Sequence, residues 1–471
     1  AWLRAAAKST VPAATSMTHY YRQRRSIFGG LILILIGVIC LLYEYHPEME
    51  IGRLFTHYWP LLLILWGIAR LFDHLLATRT GEARPPGISG GEIALIVLLL
   101  LVVASIAGFD WARKNNPGID FGMGNPFEHS YDWNSSLPVV PAKPNEVISI
   151  STVRGDISVH PGNDSQLHVS VHKTASASDE KDARQAADKV QVKVTPTDNG
   201  YQIQPQISGD EGPEVRVDLD IELPNHATIN AQTSHGDIAI AQMTGPVTIN
   251  SKSGDLNVHD ISGDVDANLS HGDARFNNIK GNVRLTGHGG EINFSGITGD
   301  ATMEGDFFGP IRAGNVSKTT RYTSSRTNLT IAHLSGQLEM DSGDLSISNV
   351  PGSVQLSTAN KDVTLDGVIG RIDLTDKRGD IQLTLPHPPH DDVLIADESG
   401  SISITLPSQS NFEISAVSRK GDIENDFESA GLKSSNSGDT TVVQGIYGAR
   451  GPRITLSTTY GTISIHKSNQ K

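Results

Sequence analysis

The sequence predicts a mainly β protein: a β-solenoid with ~18-residue coils, two short strands per coil, preceded by an α-helical transmembrane region of three helices. Three observations lead there. Glycines fall nine residues apart at Gly236, Gly245, Gly254, Gly263, Gly272, Gly281, Gly290 and Gly299. Two and four places after each stands an apolar or small residue, from Ile238 and Ile240 to Ala301 and Met303. That is the alternation of a strand with one buried face. Upstream, three apolar runs approach the length that crosses a bilayer.

The count of nine conceals a unit twice as long. Seven places after alternate glycines another apolar residue appears, at Met243, Ile261, Ile279 and Ile297. The intervening glycines have Lys252, Ser270, His288 and Asp306 at that place. The unit therefore holds two strands and two unlike corners, with glycine as the turn residue. A coil of this size cannot bury its inward side chains alone, so it stacks on its neighbours.

Composition narrows the function. A chain of 471 residues exceeds one compact domain of usual size. The single cysteine, Cys40, lies in an apolar run, which leaves neither a disulfide framework nor a thiolate metal site. A net charge of −14 argues against nucleic acid as a partner, since that needs a basic face. Phosphate loops and His-Glu-x-x-His motifs are missing from the sequence. No cofactor and no enzymatic activity are expected.

In chain order, residues 1–26 form a basic cytoplasmic N-terminus, with five cations (Arg4, Lys8, Arg22, Arg24, Arg25) and Met17 as a candidate start. The transmembrane region covers 27–109, with helices over 27–43, 54–72 and 93–109, the second interrupted by Pro60. Positive charge before the first helix and at Arg70, Arg79 and Arg84 puts both segments in the cytoplasm and everything after Phe109 outside it. With only two spans the solenoid would be cytoplasmic. Residues 110–144 are a Pro/Gly-rich linker whose Trp111, Phe121, Phe127, Tyr131 and Trp133 lie along the membrane or dock on the first coil. Then come an N-terminal β cap with a polar insert (145–232), the regular solenoid (233–385), and longer terminal coils with a C-terminal cap (386–471). Within the solenoid the count falters after Met303, where Gly309 comes one residue late and a polar stretch runs from Ser317 to Arg326.

The run from Arg25 to Gly37 (RSIFGGLILILIG), followed by Tyr58 to Gly67 (YWPLLLILWG), resembles the LiaI/LiaF-like transmembrane region of bacterial envelope proteins, over about 24–72. In that family the region is a membrane anchor, and some members adjust envelope-stress signalling. The Gly-Asp-Ile strands, the polar insert and the segment from Leu406 to Ile423 (LPSQSNFEISAVSRKGDI) resemble the bacterial putative-adhesin β-solenoid family, over about 145–467. The resemblance implies the fold and brings no catalytic residues with it.

Few constellations suggest chemistry. Asp237, Asp255 and Asp273 recur every eighteen residues and should stack about 4.8 Å apart. They are candidates for Ca²⁺, which wants several oxygens. The competing reading is that each carboxylate accepts backbone N–H bonds in its own turn. His235, His271 and His288 precede corners and are expected to be exposed. Two Arg-Gly-Asp triplets, at 154–156 and 378–380, are repeat corners with arginine in front.

The expected function is that of a bacterial envelope protein, multi-pass in the inner membrane with its C-terminal domain extracytoplasmic. The solenoid would offer a non-catalytic binding, adhesion or scaffolding surface. Its expected partners are the lipid bilayer and either envelope glycans or partner membrane proteins. The alternatives are a regulatory membrane partner of an envelope-stress system and a self-assembling structural solenoid.

Overall fold

The structure, a computed structural model, describes residues 129–143, 145–177, 179–208 and 215–468. In its middle the chain climbs an axis. Strand Ile238–Ala241 pairs in parallel with Leu256–Ile261, Ile238 opposite Leu256 and Ile240 opposite Val258. Strand Val247–Ser251 pairs in parallel with Val265–Leu269 in the same way. Each coil thus gives one strand to each of two facing sheets. We call the sheet containing Val247–Ser251 sheet 1 and that containing Ile238–Ala241 sheet 2.

Parallel in-register stacking sets like on like. Ile240, Val258, Phe276 and Phe294 form one inward column of sheet 2, all fully buried. Phe276 and Phe294 stack with ring centroids 5.0 Å apart. Their bulk is accommodated because Ala274 occupies the neighbouring inward place. A third inward residue per coil, Met243, Ile261, Ile279 or Ile297, is equally buried. Simple alternation would turn it outward. It points in because the preceding residue is left-handed: Gln242 (φ 58), Asp260 (φ 57), Asn278 (φ 54) and Gly296 (φ 69). Asp, Asn and Gly tolerate that conformation best, so three of the four corners are built from suitable residues.

The expected fold class needs correction on two points. The described residues contain one helix, Glu180–Lys189, and no helix long and apolar enough to cross a membrane. That helix is a surface element capped by Asp179, whose carboxylate accepts the Asp182 N–H, and it buries only Ala183 and Ala187. The three segments expected to be transmembrane helices (27–43, 54–72, 93–109) lie outside the described residues. The second point is that the strands are not uniformly parallel. Strand Ile311–Thr323 runs through both sheets, pairing in parallel with Ile292–Ile297 and then Ala301–Phe307. It turns at 324–327 and returns as Asn328–Met340, antiparallel over its whole length. Asp344–Val350, antiparallel to that, restores the original direction. One layer of the stack therefore runs backwards, and the turn into it falls at the end of the polar stretch from Ser317 to Arg326.

At both ends the terminal coil is tucked inside its cap. Val147–Arg154 lies between Gly200–Ile207 and Thr228–His235, parallel to both. Ile157–Pro161 lies between Val215–Leu223 and Ile238–Ala241. Antiparallel strands Gln166–Ala177 and Val190–Thr197 close the outside. At the other end, Arg453–Thr458 inserts between Val393–Asp397 and Phe412–Ser418. Ile463–Ser468 inserts between Ile402–Pro407 and Ile423–Asn425. Phe412, Phe427 and Tyr447 close that end, with centroids 4.8 to 5.5 Å apart. The expected linker also proves shorter. Residues His129–Ser136 form a strand on Gln166–Ala177, and Tyr131 and Trp133 pack half-buried on the core.

Candidate functional site

The coil corners between sheet 1 and sheet 2 hold most of the residues singled out from sequence. At Gly254 (φ +130) a Cβ would lie 2.0 Å from the Gly236 carbonyl oxygen of the coil below. No side chain fits, which is why the corner needs glycine. At the opposite corner Gly263 has an ordinary φ, yet a Cβ would still meet the Gly245 carbonyl at 2.5 Å.

The three calcium candidates do come together in one column, and one oxygen of each is engaged by a backbone N–H. Asp237 Oδ1 accepts the Asp255 N–H (2.8 Å), and Asp255 Oδ1 accepts the Asp273 N–H (2.9 Å). The column extends to Asp156, which accepts from Asp237 (2.7 Å), and from Asp273 to the Glu291 N–H (2.8 Å). Each carboxylate thus holds the next coil's turn, where sequence reasoning had it holding its own. The opposite corner repeats the device with Asp264, Asn282 and Asp300. Among the described residues no group of three or more His, Cys, Asp or Glu is arranged to hold a metal ion. His235, His271 and His288 are exposed at their corners.

Both Arg-Gly-Asp triplets are built into this ladder. Asp156 takes the Asp237 N–H on one oxygen and the Arg216 guanidinium, 2.5 Å away, on the other. Asp380 receives the Ser401 N–H (2.9 Å) and donates its own N–H to Asp362.

Sequence reasoning missed a groove at the N-terminal cap. Outward rows of Ile157–Pro161, Val215–Leu223 and Gln166–Ala177 lie side by side there, with Asp220 opposite both Ser158 and Ser170, and Asp218 opposite His172. With Asn134 and Ser136 they line an open groove of 790 Å³. Its charges are mostly acidic and mostly paired. His160 Nε2 lies 3.0 Å from Asp220, and Arg216 Nε donates to Asp218 (2.9 Å). His172 Nδ1 lies 2.6 Å from Asn134 Oδ1, and the Thr174 hydroxyl donates to Asp132 (2.7 Å). Burial works against the Arg216 charge, but Asp218 and Asp156 outweigh it and hold the guanidinium above its ordinary range. The side chains that line it are mostly hydroxyl, amide and carboxylate, set between the apolar Val171 and Leu219. The signal was present in the strand RVDLDIEL, whose outward places read Arg216, Asp218, Asp220, Glu222.

Comparison with known families decides the identity of this architecture. Residues 145–466 match the Toastrack DUF4097 family. The chain belongs to that family. Residues 27–71 match the LiaI-LiaF-like transmembrane region, so the toastrack domain follows a segment associated with membranes. No curated protein matches the chain. Among solved structures, it is similar to a "putative cell adhesion protein" of Clostridium sporogenes at 8% identity and TM-score 0.17, covering 72% of this chain and 100% of that one. It is also similar to a "putative adhesin" of Parabacteroides merdae at 11% identity and TM-score 0.23, covering 73% and 98%. A third, a "putative adhesin" of Bacteroides fragilis, has 9% identity and TM-score 0.18, covering 73% and 98%. Likeness at this level carries no argument about what the toastrack domain binds.

Proposed function

We propose that this chain is a membrane-anchored bacterial envelope protein whose toastrack domain is a non-catalytic binding or scaffolding surface. The observation that supports it most is the joining, in one chain, of a LiaI-LiaF-like transmembrane region to a toastrack domain. Anchorage in the inner membrane with the C-terminal domain extracytoplasmic goes with this reading. The described surface agrees with it. Apolar residues fill the interior columns, and corner carboxylates are committed to holding the next coil. What faces outward is polar and repetitive, suited to extended partners such as envelope glycans or membrane proteins through weak, multivalent contact.

The membrane match also favours a regulatory reading, in which the chain tunes an envelope-stress sensor through its membrane segment. Self-assembly into filaments has less support. The outer strands Val190–Thr197 and Leu432–Ser437 carry Lys193, Pro196 and Lys433, which discourage edge pairing.

The test is protease treatment of intact spheroplasts carrying the full chain with a C-terminal epitope. Loss of the epitope without cell lysis is expected. Its survival until lysis would place the domain in the cytoplasm and end the envelope-surface reading. Exchange of residues 24–109 for an unrelated anchor separates the two functional readings, since a regulatory role through the membrane segment would be lost and a surface role kept.

A further inference from the structure

Behind the glycine corners runs a row of inward residues at or near the ends of the sheet 1 strands. At the N-terminal end it reads Thr152, Thr233, Ser251 and Leu269 in register. At the C-terminal end Asp376 pairs with Asp397, and Thr458 pairs with Ser418 in the layers beyond. All the polar members are buried, Asp376 at 2% exposure and Asp397 at 7%.

Three hydroxyls of this row share one task, while Ser251 Oγ is buried without a partner. Ser418 Oγ donates to the Gly461 carbonyl (2.8 Å), Thr458 Oγ1 to the Gly400 carbonyl (3.0 Å), and Thr233 Oγ1 to the Gly155 carbonyl (3.4 Å). Each acceptor is the corner carbonyl of the adjacent layer on the N-terminal side. The two aspartates occupy the same place with an oxygen in the same position. A Cβ on Gly421 would lie 2.2 Å from the Gly461 oxygen and 2.9 Å from Ser418 Oγ. A Cβ on Gly379 would lie 2.1 Å from the Lys361 oxygen and 2.9 Å from Asp376 Oδ2. A Cβ on Gly400 would lie 1.9 Å from the Gly379 oxygen and 2.5 Å from Asp397 Oδ2. Yet Asp376 Oδ2 and Asp397 Oδ2 are buried without a hydrogen-bond partner. An ionised oxygen facing a carbonyl oxygen is repelled, whereas a protonated one donates as the serine and threonine do.

We propose that Asp376 and Asp397 are held as neutral carboxylic acids in the folded stack, each donating to the corner carbonyl of the coil beneath it, Lys361 and Gly379 respectively. This makes the segment from Ile372 to Pro407 a latch that closes in acid and loosens as pH rises.

The surroundings agree. Burial raises the Asp376 carboxyl first of all; the Lys377 and Arg378 backbone opposes it, Asp397 adds to it, and the Lys361 backbone opposes it, leaving the group at about 6. Burial likewise raises Asp397 against the backbone of Ser399, Glu398 and Gly400, with Asp380 adding to the rise. On the N-terminal side the facing cation is Lys361, itself lowered by burial and set among Asp341, Asp344 and Asp376. On the C-terminal side the Tyr460 N–H donates to the Glu398 carbonyl (3.2 Å), and Lys420 Nζ lies 4.9 Å from the Tyr460 ring centroid. The sign follows from linkage. A carboxyl raised in the folded state binds more protons there than in the unfolded chain. Its stabilisation is full below the ordinary value of 3.8 and is lost as pH rises through about 6.

The test is hydrogen exchange on the full-length chain in detergent, read on peptides covering 372–407 and corrected for the intrinsic rate. Protection should fall roughly tenfold or more between about pH 5 and about pH 8. The double variant Asp376→Asn with Asp397→Asn should lose that dependence and stay protected at about pH 8, because an amide can still donate. Asp366→Asn, an exposed aspartate of the neighbouring coil, should behave as the parent. If the asparagine variant fails to accumulate, Asp376→Thr with Asp397→Thr places the row's own residue type there, with the same expectation. Flat protection in the parent would overturn the proposal, as would an unchanged pH slope in the double variant. Protection at about pH 8 restored by calcium and removed by chelator would also overturn it, since ionised carboxylates would then be holding a cation.

Discussion

The middle of the stack and its two ends use the same glycine corners, and differ in how far along the chain a coil reaches for its neighbour. In the middle the Asp255 N–H bonds Asp237, 18 residues away. At the N-terminal end the Asp156 N–H bonds Asp218, 62 residues away, and at the C-terminal end the Arg453 N–H bonds Asp392, 61 residues away. The middle is therefore a nearest-neighbour array in which damage should stay local. The ends are closed by long-range insertion, so that each terminal coil is gripped on both sides. Loop-closure entropy grows only slowly with length, which makes such closures affordable.

That contrast can be broken experimentally. The largest effect should come from deleting residues 453–471, which strips partners from Val393–Asp397, Ile402–Pro407 and Phe412–Ser418 together. Limited proteolysis should then cut throughout 393–447 while 238–303 stays resistant. Cleavage in the middle as well would mean that the ends hold the whole domain. Next comes Gly254→Val, which sets a branched side chain at φ +130 against a carbonyl 2.0 Å from its Cβ. A loss above about 4 kcal/mol is expected in chemical denaturation, with exchange protection lost around the substituted corner and retained in both caps.

Phe276→Ala should cost about 3–5 kcal/mol, since it empties a fully buried site and removes the stack on Phe294. A cost below about 1 kcal/mol would show that the column repacks along the axis. The smallest effect is expected at Asp255→Ala, about 1 kcal/mol for one lost acceptor. Asp255→Asn should cost less, because Asn282 performs the same task at the opposite corner. A large loss with either, reversed by calcium, would revive the metal reading of this column.

Much of the middle could be read in the sequence because its period is local. The glycines, the paired apolar places and the third inward residue all recur at eighteen, and each proves to be a buried or corner position. Even the inward aspartates were legible in principle, since Ile372-x-Leu374-x-Asp376 and Val393-x-Ile395-x-Asp397 alternate like their neighbours. The partners of the corner carboxylates were not legible. Asp237 sits beside its own turn in sequence and bonds the turn of the next coil, a choice fixed by the spacing between strands. The reversed layer showed itself only as a faltering count, and a late glycine does not say which way the chain runs.

What the sequence determined by itself is the coil: its length, its inward face and the need for glycine where two backbones nearly touch. Those follow from steric and hydrophobic rules that act between residues a few places apart. The tertiary structure decided the order of the layers. Nothing in the period tells the last coil to return beneath the cap, or the strand after Thr323 to run backwards. Those outcomes depend on which exposed strand edges find partners across sixty residues, and on the antiparallel layers that leave the stack closed at both ends.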